Sequence, residues 1–116
     1  MIRMLKPASP NGLQFLHAWR QSQGRRARQE DFCMTSPPSR SGDATAGGNR
    51  VLVALADGMG GHTSGQIASR TVCDNYVRAF AEAAADPDVG QRMVVALERC
   101  NDAVASAIAT DPSLAG

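Results

Sequence analysis

The sequence predicts an α+β fold, on three observations. The run VLVALA at 51–56 is continuously apolar, two later segments repeat apolar residues at spacings of three and four, and strands do not alternate with helices. Strands first and helices afterwards imply an antiparallel sheet with both helices laid on one face.

Residues 1–11 are expected to be a loose leader, because Pro7 and Pro10 bar a regular helix, and residues 12–116 form the domain. Leu13 to Trp19 reads as a strand with Leu13, Phe15 and Trp19 on one face and His17 interrupting it. GRRARQED is a polar turn, and Asp31 to Thr35 resumes as a short strand. Residues 36–49, SPPSRSGDATAGGN, have the composition of an exposed loop joining neighbouring strands. Val51 to Ala56 then reads as a strand covered on both faces.

Thr63 or Ser64 is placed to cap the first helix, whose core stripe is Ala68, Val72, Tyr76, Ala79 and Ala83, widened by Val77 and Phe80. Asp86-Pro87-Asp88 breaks the pattern, with Pro87 placed to open a second helix. There Met93, Leu97, Cys100, Val104 and Ala107 continue the helical period as a core face.

With 116 residues and 4% aromatics, the chain suits one small domain, or a piece of a larger one, with a modest core. A net charge of +1 gives no general attraction to nucleic acid or to a membrane. Positive charge is concentrated early, because Arg3, Lys6, Arg20, Arg25, Arg26 and Arg28 all precede the first acid, Glu30. Cys33, Cys73 and Cys100 are odd in number and widely spaced, which favours reduced thiols in a cytoplasmic protein. Neither a signal peptide nor a membrane span is visible.

The chemistry centres on ADGMGGHTSG. A plain strand-to-helix connection would use the glycines for positive φ angles. A nucleotide-phosphate loop fails, because Gln66 and Ile67 stand where lysine and Ser/Thr are required, and Thr63 replaces the last glycine of GxGxxG. A divalent-cation site accounts for more. Mg²⁺ or Mn²⁺ takes hard oxygen ligands, Asp57 at the tip of a rigid strand offers two, and Gly58 leaves its carbonyl accessible. Glu30 and Asp31 add acids at the start of another strand, and Arg26 brings a planar fork suited to phosphate.

The pattern Arg26-Ala-Arg-Gln-Glu30-Asp31, a variable loop and then VLVALADGMGGHTSG resembles the N-terminal part of PPM/PP2C-type protein serine/threonine phosphatases, bacterial branch. The resemblance covers roughly residues 13–85. It implies an α-β-β-α four-layer sandwich, of which this chain is the N-terminal portion, and two Mn²⁺ or Mg²⁺ ions. It also implies a metal-activated water that attacks a phosphoserine or phosphothreonine protein substrate. On that resemblance Asp57 bridges the metals, Gly58 offers its carbonyl, Glu30 and Asp31 sit in the water-mediated shell, and Arg26 binds the substrate phosphate. Met59 stands where some members carry a histidine, and His62 is read as a loop or helix-start residue. Gln29 replaces the common asparagine, and Gln21-Ser22 stands where Ser-Asp is frequent.

Family domains run well beyond this length, and their later strands carry the remaining aspartates. After Asp57 the acids here are Asp74, Glu82, Asp86, Asp88, Glu98, Asp102 and Asp111, all in helices or their connections. The chain is therefore expected to be a phosphatase fragment with an incomplete metal site and negligible activity alone. The alternative is an inactive, phosphatase-like module that binds phosphoprotein or a partner. Self-association through an exposed sheet is expected in either case.

Overall fold

The computed structural model describes residues 2–5, 14–36, 45–46, 51–59 and 63–115. Among them the order is β1 (Ile2–Leu5), β2 (Gln14–His17), β3 (Asp31–Ser36), β4 (Thr45–Ala46), β5 (Leu52–Asp57), α1 (Thr63–Glu82) and α2 (Val89–Thr110). A 3-10 turn follows at Pro112–Leu114. The fold is α+β: β3 and β5 form a two-stranded antiparallel sheet that packs against the two helices.

β3 and β5 pair from Asp31 opposite Asp57 to Ser36 opposite Leu52, so the loop between them does join neighbours. A second sheet has the order β1-β2-β4. Two of its strands depart from expectation. β1 lies in the supposed leader, where backbone pairing with β2 orders it, and Pro7 and Pro10 fall outside the described residues. β4 lies within the loop and also pairs with β2. β2 itself stops at His17, which is buried and therefore belongs to the interior, while Trp19 lies beyond the strand.

β5 alternates, with Leu52, Ala54 and Ala56 half-buried and Val53, Leu55 and Asp57 exposed. The expectation of cover on both faces is thus corrected. Thr35, opposite Val53, is buried, but Val53 is 41% and Leu55 74% exposed, so cover over that face fades toward Asp57. An apolar run reports the burial a strand is suited to, not the layers its neighbours supply.

Tyr76 and Ala79 of α1 meet Ala96 and Cys100 of α2 in the core, with Leu52, Ala54, Val72 and Phe80 around them. The Tyr76 and Phe80 rings stack with centroids 6.4 Å apart. Cys73 donates to the Phe32 carbonyl and Cys100 to that of Val72. All three cysteines are free thiols, and burial pushes Cys73 up to about 11, which suits packing rather than nucleophilic chemistry.

The helix ends differ in detail from their predicted caps. α1 begins at Thr63, so Thr63 and Ser64 both lie inside its first turn, and His62 is outside the described residues. α2 is capped by Asp88, whose carboxylate accepts from the Gln91 N–H at 3.1 Å, and Pro87 precedes the cap. The buried residues of α2 are Arg92, Ala96 and Cys100. Met93 and Leu97, predicted as core, are 45% and 57% exposed, a rotation of the buried stripe by about one residue. The Arg99–Glu82 ion pair ties α2 to the end of α1. Among the described residues no helix is long and apolar enough to cross a membrane.

Candidate metal centre

The site is assembled from the turn before β3, the paired ends of β3 and β5, and the first turn of α1. Gly24 enables the turn before β3 by taking φ 61°, a left-handed angle that glycine adopts without a Cβ clash. Gln23 Nε2 donates to the Arg26 carbonyl at 2.7 Å, and the Arg26 N–H returns to the Gln23 carbonyl at 3.3 Å. Gln21 Nε2 donates to the Asp31 carbonyl at 2.7 Å, pinning the turn to the start of β3. The arginine-bearing turn is thereby held beside the acids. Arg26, Ala27, Arg28 and Glu30 line a cleft of about 320 Å³.

Antiparallel register sets Asp31 opposite Asp57 on one face, and their carboxyl groups share a hydrogen bond. That bond raises the Asp31 pKa above its ordinary value. Partial loss of hydration and the charges of Asp57 and Glu30 push the same way, while the Arg26 charge opposes them. Two carboxylates directly across a ladder repel one another once both ionise. Such a pair suits either a shared proton or a cation.

Gly58 continues the ladder by donating to the Glu30 carbonyl at 3.2 Å. It is buried, and a Cβ there would lie 2.0 Å from the Gly65 carbonyl oxygen and 2.8 Å from that of Glu30. Among the described residues only Gly24 has a positive φ, so close approach, not backbone handedness, requires glycine at 58. A Cβ on Gly65 would in turn sit 2.9 Å from the Gly58 oxygen. This backbone-on-backbone contact sets the tip of β5 against the first turn of α1.

Asp31, Asp57, Glu30 and Arg26 are therefore brought together, with Gly58 at the strand tip. Gly60, Gly61 and His62 lie outside the described residues. The donors fit a hard divalent cation in kind, since the Asp31 and Asp57 carboxyl groups face one another across the ladder. They do not complete its shell: among the described residues no group of three or more His, Cys, Asp or Glu side chains converges. The later acids lie on the helices, between them or at the end of α2, as their positions predicted. No family model, curated protein or solved structure matches the chain.

Sequence reasoning found each of these acids but not the direct Asp31–Asp57 contact, which depends on register. Nor did it find the Gly58–Gly65 contact, and Gln21 registered only as a departure from a pattern.

The carboxyl pair predicts a pH dependence for the metal-free chain. A raised folded-state pKa means that the folded chain holds the Asp31 proton more firmly than the unfolded chain does. Its favourable contribution is complete below the ordinary aspartate value and is lost as pH rises through the raised one. Thermal melts across that window should show stability falling with rising pH. Asp57→Asn should flatten the dependence and raise the neutral-pH melting temperature. A variant with the unaltered slope would show that the two carboxyls do not interact.

Proposed function

We propose that this chain carries the metal-bridging and phosphate-binding portion of a metal-dependent protein serine/threonine phosphatase of the PPM/PP2C type. The observation that carries this reading is the Asp31–Asp57 carboxyl pair, with the charge of Arg26 acting on it from the adjoining turn. When bound, Mn²⁺ or Mg²⁺ would supply Lewis acidity and an activated water for in-line attack on a phosphoserine or phosphothreonine ester.

The chain's own residues have separable tasks. Asp57 would hold the cations, with the Gly58 carbonyl as a further ligand and Glu30 and Asp31 orienting the water bound to them. Arg26 would grip the substrate phosphate through its guanidinium fork. The Gly58–Gly65 contact keeps the carboxylate-bearing strand tip still, which a binding site of this kind needs.

Calorimetry with Mn²⁺ tests the reading. The 116 residues should bind Mn²⁺ weakly, at a site abolished by Asp57→Ala, and should hydrolyse p-nitrophenyl phosphate or a phosphothreonine peptide negligibly. Tight two-site binding would overturn the incomplete site, and no Mn²⁺ response at Asp57 would overturn the metal reading. In a protein that supplies further ligands, Asp57→Ala should remove turnover, and Arg26→Ala should mainly weaken substrate binding.

The lack of a third converging side chain among the described residues favours a second reading for the chain by itself: a phosphoprotein-binding module without turnover. Metal-independent binding of a phosphopeptide, lost in Arg26→Ala, would support that reading over the first.

A further inference from the structure

At the opposite end of β5 from Asp57, about 17 Å away at ordinary strand rise, lies a hollow of about 750 Å³. Its walls are mostly apolar and include Phe15, Leu52, Phe80, Val89 and Met93. That volume falls within the range of small-molecule sites. Arg92 also lines it, although this arginine is only 8% exposed.

The guanidinium of Arg92 stacks over the Phe80 ring, 4.0 Å from its centroid, and Nη2 donates to the Phe80 carbonyl at 3.0 Å. The stack covers one face of the cation but supplies no acceptor. Arg92 Nε is buried without a hydrogen-bond partner, and no carboxylate of the described residues forms an ion pair with the side chain. Guanidinium has five N–H donors, and a buried cation ordinarily requires an anion. Asp86 borders the same hollow, but one of its carboxylate oxygens already accepts from the Asp88 N–H at 2.8 Å.

We propose that this hollow binds a small organic acid, with an aliphatic or aromatic body against Phe15, Leu52, Val89 and Met93 and its carboxylate on Arg92. The body satisfies the walls, and the carboxylate supplies the acceptors the guanidinium lacks. A neutral or cationic molecule of the same shape satisfies only the walls, and a cation also meets the Arg92 charge.

The test uses the whole chain and three compounds of equal chain length: octanoate, octanol and octylamine, each below its aggregation threshold. Titrations followed by amide NMR should show saturable octanoate shifts around Phe80, Val89 and Met93. Octanoate should bind about tenfold more tightly than octanol, and octylamine should bind more weakly than either. Arg92→Gln should reduce octanoate to the level of octanol. The three-compound series on the unaltered chain decides the question even if that variant fails to fold. Equal binding of octanoate and octanol, shifts confined to the Leu55 face, or no saturation would each overturn the proposal.

Discussion

Gly58→Ala should lower the melting temperature more than any other alanine substitution at a described glycine. The added methyl would lie 2.0 Å from the Gly65 oxygen, 2.5 Å from the Gly65 carbonyl carbon and 2.8 Å from the Glu30 oxygen. All three are backbone atoms, so no side chain can swing aside. The tip of β5 and the first turn of α1 must part, and the Gly58–Glu30 hydrogen bond is lost with them. Overpacking typically costs about 1–3 kcal/mol and the bond about 1 more. Against a small-domain stability of about 5–15 kcal/mol, the expected loss of about 3 kcal/mol is severe. It corresponds to a fall on the order of 10–20 °C.

Gly90→Ala is the control, because its nearest neighbour is a side-chain atom, Asp88 Oδ1, at 3.2 Å. Within α2 it should change stability by no more than about 1 kcal/mol. Scanning calorimetry or circular dichroism reads both. If Gly58→Ala melts with the unaltered chain, the contact that positions Asp57 is not formed.

The second large effect is expected at the open face of β5. Leu55 and Val53 present apolar side chains to solvent, and full burial is worth roughly 1.5–3 kcal/mol for each. β3 and β5 pair only with one another among the described strands, so each keeps an unpaired edge. Apolar surface beside open backbone donors and acceptors promotes association. The isolated chain should therefore be oligomeric, aggregation-prone or partly molten. Size-exclusion chromatography with light scattering should show mass rising with concentration, and an apolar-surface dye should bind. The double substitution Val53→Thr, Leu55→Lys should move the population toward monomer. A monomer at high concentration with a single sharp transition and no dye binding would show that the 116 residues are self-contained.

What could be read from residues alone was whatever depends on local spacing. The period of 3.6 located both helices, with Ala68 to Phe80 in the first, and the apolar run located β5 with Asp57 at its end. Arg26, Glu30, Asp31 and Asp57 stood out as candidates because their types and separations are themselves the signal. Tertiary structure decided everything that depends on a neighbour distant in sequence. Register put Asp31 against Asp57, and close approach made Gly58 and Gly65 a matched pair. The packing of α2 against α1 buried Arg92 and left Met93 and Leu97 exposed. Leu55 shows the division most clearly: its apolar character is a property of the residue, but its burial depends on a second surface arriving to cover it.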